Sequence, residues 1–199
     1  MIRTTCEYCD AELRRAGLGR PQRFCSGRCR VAAHRKKRAG EAVPAEIRGQ
    51  KRWIRHGADK TPLRADTGRA ASSTDPRTWT DHGTAARSPH GAGLGFVLNG
   101  DGIVCVDLDH CLTADGQLAP WAAAILNACP PTYTEVSPSG TGLHLWGHGH
   151  VVRGRRIRRE DGAHIEVYGT GRYIALGRRY GQAPAELADI SEVITSLTT

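Results

Sequence analysis

The chain has 199 residues, 39% of them apolar, with 24 glycines, 10 prolines, seven cysteines and a formal net charge of +8. That length supports one medium core with a small appendage, and no apolar run approaches the 18 or more residues of a membrane span or follows the basic N-terminus as in a secretory signal. So few large apolar residues among so many glycines disfavour an all-helical bundle, and the absence of a G-x-x-x-x-G-K-[S/T] segment leaves any helicase activity to another chain.

The first 38 residues hold eleven Lys or Arg against Glu7, Asp10 and Glu12, whereas the remainder balances seventeen basic against seventeen acidic side chains. The whole positive excess therefore sits at the N-terminus, as in a phosphate-seeking arm. The same segment carries Cys6-x2-Cys9 and, fifteen residues later, Cys25-x3-Cys29. Two close thiol pairs separated by a loop suit one structural zinc, which fixes a fold too small for a core of its own. Two disulfides or ordinary buried thiols are the alternatives, and the missing secretory signal favours metal. His34 is a less favoured substitute for Cys29. Ser26 is placed to cap a short basic helix carrying Arg28, Arg30, Arg35, Lys36, Lys37 and Arg38, either as a nucleic-acid contact or as a solvated face. Residues 1–40 thus read as a zinc-binding basic module, 41–50 as a linker, and 51–199 as the main domain.

The main domain reads as short β-type runs punctuated by Gly and Pro. Arg52 to Ile54 opens it, and a polar stretch from Lys60 to Trp79 follows, with Asp75-Pro76 as a turn or helix start. A short helix is expected over residues 81–86. Two apolar runs, residues 95–98 and 103–109, are joined by Asn99-Gly100-Asp101-Gly102, a strong hairpin signal. Residues 119–128 read as a helix, with Pro120 early and Pro130 just beyond. Strands follow at 133–136, 143–146, 165–168 and 172–176, and a helix at 191–197. Arg153 to Arg159 is expected to be a basic loop able to track template phosphates through Arg155 and Arg156, or merely to be solvated. Cys105, Cys111 and Cys129 read as core thiols, and His148 and His150 as a polar strand end. The total is an α+β domain with a largely antiparallel sheet.

Asp107 and Asp109 stand two apart on one strand, so both carboxylates share a face at about 6–7 Å along the strand. Charges that close repel unless a cation or proton lies between them, and hard oxygen ligands suit Mg2+ or Mn2+. Alone, the pair also fits an exposed strand edge. Ser137-Pro138-Ser139-Gly140-Thr141-Gly142-Leu143-His144 is a second signal: its glycines free backbone amides to face an anion, Ser139 and Thr141 add donors, and His144 leaves on the next strand. Glu166 in Ile165-Glu166-Val167-Tyr168 is a third carboxylate between apolar neighbours.

Taken in order, these elements resemble the archaeo-eukaryotic primase superfamily, and within it the primase-polymerases of phages and plasmids. An aspartate pair on a strand, a small-x-His segment and a later acidic residue match Asp107 and Asp109, His144, and Glu166. Flanking segments agree at Lys60 to Pro62, Ala71 to Trp79 and Gly171 to Tyr173. The resemblance covers about residues 51–180. It implies an RNA-recognition-motif-like catalytic sheet with a small N-terminal α/β portion. It also implies two-metal nucleotidyl transfer, with Asp107, Asp109 and Glu166 holding two Mg2+ or Mn2+ ions. The incoming triphosphate would meet His144, Ser139, Gly140, Thr141 and Gly142, with Lys60 and Arg172 as further contacts. The implied partners are a single-stranded DNA template, nucleoside triphosphates and a separate helicase, in the cytoplasm of a bacterial host and with no membrane. No helicase segment follows, and the chain ends soon after the G-R-Y strand, so it resembles a stand-alone unit without the helical domain that some relatives use to start primers. Two other classes compete: a non-catalytic zinc-dependent DNA-binding factor, which the intact acidic set and His144 disfavour, and a metal-dependent nuclease.

Overall fold

The computed structural model describes residues 4–13, 22–40 and 43–199, with residues 34–40 as backbone only. The chain divides into two compact units, residues 1–42 and 43–199.

In the first unit the chain folds back on itself at the first cysteine pair. Thr5 bridges to Glu12, the Cys6 amide donates to Ala11 O at 2.8 Å, and Asp10 turns the corner at φ 57°. Arg23 clamps this turn through a two-pronged ion pair with Glu7, at 2.8 and 2.7 Å. Helix α1, Gly27–Gly40, starts between the two cysteines of the second pair and carries Cys29 in its first turn, and Ser26 Oγ accepts from the Cys29 amide at 3.1 Å, capping it as expected.

The second unit is α+β and built on two sheets, antiparallel but for one short strand. Strands β1 (Trp53–His56), β2 (Pro62–Leu63), β3 (Gly93–Asn99) and β9 (Thr170–Ala175) form a four-stranded sheet in the order β2-β1-β3-β9. A seven-stranded sheet takes β4 (Ile103–Asp109), β5 (Thr134–Val136), β6 (Leu143–His148), β7 (Arg155–Arg158), β8 (His164–Tyr168) and β10 (Arg178–Arg179) in the order β10-β5-β6-β4-β8-β7. Its parallel member is β11 (Ala188–Asp189), paired to β6.

The residues around Asn99 to Gly102 do not make a hairpin. Strand β3 is flanked by β1 and β9, and β4 by β6 and β8, so the turn hands the chain from one sheet to the other. Gly100 and Gly102 take positive φ, as the turn residues suggested. The loop is tied outward instead of across: the Gly100 amide donates to Gly169 O at 2.8 Å, and the buried Arg52 pairs with Asp101 at 2.8 Å. The expected basic loop is also a strand, β7, paired to β8 with Ile157 packed on the core. Within 41–50, residues 41–42 lie outside the described residues, while Ala45–Arg48 forms a helical turn, α2, whose Ile47 is buried.

The alternation along β4 organises the unit. Val104, Val106 and Leu108 face one apolar cluster, which α4 (Pro120–Ala128) covers with Ala122 and Ile125, and α5 (Ser191–Thr198) covers with Val193, Ile194 and Leu197. Each such large side chain contributes roughly 1.5–3 kcal/mol on burial. Ile103 and Cys105 point the other way, into a second cluster with Trp53, Phe96 and Trp146. Phe96 meets Trp53 and Trp146 edge-on at 5.2 and 5.9 Å. Asp107 and Asp109 continue that second face beyond the point where apolar cover ends. Helix α3, His82–Arg87, is capped by Asp81, and Pro76–Thr78 is a 3-10 turn capped by Asp75. Among the described residues no helix is long and apolar enough to cross a membrane.

Candidate active site

Strand register lines up Arg156, Glu166, Asp107, His144, Glu135 and Arg179 in one row across β7, β8, β4, β6, β5 and β10. Ionisable groups dominate this row because it lies just past the aromatic cluster, where the sheet opens into a cleft of about 450 Å³. Asp107, Asp109, His144 and Glu166 all line that cleft, as do Lys60, Ser139 and Arg172.

The three carboxylates converge so that one oxygen from each of Asp107, Asp109 and Glu166 lies within 4.8 Å of the others. Burial, reinforced by the charges of Asp109 and Glu166, pushes the Asp107 carboxyl up to about 6 despite the opposing pull of His144. Its Oδ1 is buried without a hydrogen-bond partner, 3.7 Å from His144 Nε2. A buried oxygen left unpaired among three carboxylates is a donor set that a hard divalent cation fits. Glu166 is held from both sides: Tyr168 donates to Oε2 at 2.6 Å, and Arg156 pairs with Oε1 at 2.9 Å. Tyr168 in turn carries the Arg172 guanidinium 4.8 Å over its ring and accepts from Arg172 Nη2 at 3.1 Å.

His144 is 4% exposed, with Nδ1 2.8 Å from Glu135 Oε1. Burial opposes its protonation, but Glu135 and Asp107 outweigh that cost and hold its pKa above the ordinary value. Glu135 is a residue the sequence reading passed over. Its signal, a lone carboxylate in Tyr133-Thr134-Glu135-Val136, is the one a solvent-facing strand residue also leaves.

On the anion side, Lys60 sits at φ 63° in the turn between β1 and β2, its carbonyl accepting from Tyr173 Oη. The loop from Ser137 to Gly142 is a tight β5–β6 connection. The Gly140 amide donates to Ser137 O at 2.9 Å, Gly142 to Ser137 Oγ at 3.2 Å, and Thr141 to Ser139 Oγ at 3.4 Å. Those amides are engaged within the turn, so the loop presents Ser137 and Ser139 to the cleft in place of the ring of free amides read from the sequence. Gly140, Thr141 and Gly142 do not line it. At Gly142 a Cβ would come within 2.9 Å of Leu108 O, so the glycine lets the turn close against the strand bearing the aspartates.

In the first unit the sulfurs of Cys6, Cys9, Cys25 and Cys29 all lie within 4.8 Å of one another. Separations of 3.5 Å for Cys9 and Cys25, 3.4 Å for Cys25 and Cys29, and 3.7 Å for Cys29 and Cys9 are far beyond a disulfide, and all seven cysteines are free. Crowding by Cys29, Cys9 and Cys6 pushes the Cys25 thiol up to about 12, so the four cannot shed their protons together unless a cation takes up the charge. A tetrahedral zinc with Zn–S near 2.3 Å sets sulfurs about 3.8 Å apart, and the cluster fits it.

Arg28 and Arg30 are exposed on α1, while the side chains of His34, Arg35, Lys36 and Lys37 lie outside the described residues. Arg155 and Arg156 are exposed on β7, but Arg156 is engaged with Glu166. Cys105 and Cys111 are buried and Cys129 packs against the core.

Compared with known proteins, residues 34–188 match the family model described as bifunctional DNA primase/polymerase, N-terminal. A DNA primase-polymerase from Nitratiruptor phage NrS-1 is 38% identical over an alignment of 136 residues that covers 62% of this chain and 18% of the relative. The chain thus corresponds to less than a fifth of that relative's length.

Proposed function

Because the chain belongs to the bifunctional DNA primase/polymerase N-terminal family, we propose that it carries out template-directed nucleotidyl transfer in phage or plasmid DNA replication. The observation that carries this reading is the single cleft in which three carboxylates face a buried histidine, a lysine and an arginine. Carboxylates for cations beside basic groups for an anion are what a metal-bound nucleoside triphosphate requires.

Asp107, Asp109 and Glu166 would hold two Mg2+ or Mn2+ ions. When bound, such ions neutralise the carboxylates, lower the pKa of the attacking 3′-hydroxyl and stabilise the departing pyrophosphate. Tyr168 and Arg156 hold the Glu166 carboxylate in place from its two oxygens. His144 presents Nε2 to the triphosphate, and Lys60, Arg172, Ser137 and Ser139 add donors around it, with the closed turn from Gly140 to Gly142 holding those serines in place from outside the cleft. Cys6, Cys9, Cys25 and Cys29 would hold one structural zinc, whose chemistry here is folding alone.

The template is single-stranded DNA, gripped by Arg28, Arg30, Arg35, Lys36 and Lys37 of the basic module and by the cleft-side arginines of β7. Residues 1–40 form that module, 41–50 join it on, and 51–199 catalyse. The antiparallel order of β5, β6, β4 and β8, with helices on one face and acidic residues on the other, supports an RNA-recognition-motif-like catalytic sheet. A separate helicase would open duplex ahead of this enzyme in the cytoplasm of a bacterial host. The test is incubation with a single-stranded template, labelled nucleoside triphosphates and Mg2+ or Mn2+. Template-dependent extension is expected; cleavage of the template would mark a nuclease, and binding without either reaction a non-catalytic factor.

A further inference from the structure

Glu135 is fully buried, yet three donors converge on it. His144 Nδ1 lies 2.8 Å and Trp146 Nε1 3.2 Å from Oε1, and Tyr133 Oη lies 3.1 Å from Oε2. An indole N–H can only donate, so Oε1 is an acceptor. Burying a carboxylate at no exposure is costly, and charge-assisted bonds from several donors offset that cost. Two of the donors come from the aromatic cluster, where Trp146 also meets Phe96 at 5.9 Å. The carboxylate is therefore anchored in packed structure and is not free to follow the histidine ring.

We propose that Glu135 is a positioning residue that orients the His144 ring, spending Nδ1 on the buried carboxylate so that Nε2 alone faces the cleft beside Asp107. The register supports it, since Glu135 and His144 are directly paired across β5 and β6, and His144 and Asp107 across β6 and β4. Without an acceptor at Oε1 the ring loses the bond that distinguishes its two nitrogens, and can flip. Carboxylate partners of metal-ligating histidines are worth roughly 10–100-fold when removed, and a ring that must present one nitrogen to a nucleotide has the same need of a fixed orientation. This role rests on the reading that His144 contacts the incoming nucleotide.

Two substitutions separate orientation from charge and from folding. Glu135→Gln keeps an acceptor oxygen for Nδ1 and the indole while its NH2 meets the Tyr133 hydroxyl, so nucleotide KM should stay within about threefold of the parent. Glu135→Leu removes the acceptor at similar volume, and KM should rise at least about tenfold with a smaller change in kcat. In a His144→Ala background Glu135→Leu should add little further, because its effect runs through the ring. A second readout needs neither metal nor nucleotide: two-bond 1H–15N correlation of the full chain should find the proton on Nδ1 of His144, with its resonance moved upfield in Glu135→Gln. An unprotonated Nδ1 overturns the proposal even if Glu135→Leu does not fold. So does a folded Glu135→Leu protein whose KM is unchanged while His144→Ala raises it. If His144→Ala itself leaves KM unchanged, the nucleotide-contact reading fails, and with it the role given to Glu135 in binding, whatever the spectrum shows.

Discussion

Asp107 sits buried in the cleft beside Asp109 and Glu166. Its ordinary pKa of 3.8 is raised to about 6 by burial among like charges, so the folded, metal-free protein holds that proton more tightly than the unfolded chain does. The sign follows: this group costs no stability below pH 4, costs more as pH rises toward 6, and costs its full amount above that. Asp107→Asn should therefore raise the melting temperature of metal-free protein at pH 7.5, by roughly 1–3 kcal/mol of stability, and the gain should shrink toward zero near pH 4. Excess Mn2+ should remove or reverse the advantage, because the ion binds only the parent carboxylate tightly. Thermal melts at the two pH values, with and without Mn2+, check this. Asp107, Asp109 and His144 stood out in the sequence because each carries a spacing or glycine signal beside it, whereas Glu166 stood out only through the order of the family's motifs. Glu135 was not, since period-2 alternation cannot tell a carboxylate facing water from one facing a buried histidine across the sheet.

Strand β7 shows how element-level reading fails and what corrects it. Five arginines in seven residues look like a loop, because nothing apolar but Ile157 marks an inner face. Pairing to β8 supplies the order that composition hides, and it splits the arginines between faces. Arg156 and Arg158 stand opposite Glu166 and His164 on the cleft side, whereas Arg155 stands opposite Val167, on the helix-covered side. Arg158→Ala should weaken single-stranded DNA binding and flatten the slope of log affinity against log salt by about 0.7, the value of one lost phosphate contact. Arg155→Ala should leave that slope nearly unchanged, and equal effects from the two would remove the facing argument. The failed hairpin between β3 and β4 has a related cause. Glycines at 100 and 102 report only that the chain turns, and which strands flank each run is decided by long-range pairing that no local signal encodes. Helices α3 and α4 were legible to within a residue because Asp81 caps the first and Pro120 opens the second, and α5 was legible to within a residue from its apolar spacing.

At the scale of the whole molecule, the positive excess of the first 38 residues beside a charge-balanced remainder is the basis for proposing that most of the grip on DNA lies apart from the chemistry. On that proposal the grip would depend on the cysteine cluster, since the described part of that unit buries little besides Cys6. Metal analysis of the full chain should find about one zinc, lost on Cys25→Ser together with the salt-dependent part of DNA affinity. A chain that binds DNA with an unchanged salt slope after losing zinc would assign the module to another task. The proposed chemistry rests on the carboxylate row, and one comparison tests it most directly: primer extension on a single-stranded template by the parent and by Asp107→Ala, with Mg2+ or Mn2+ and matched DNA binding. Extension by the parent and none by the folded, DNA-binding variant is expected. Extension by Asp107→Ala at a rate near the parent's would contradict the assignment of this cleft as the catalytic one.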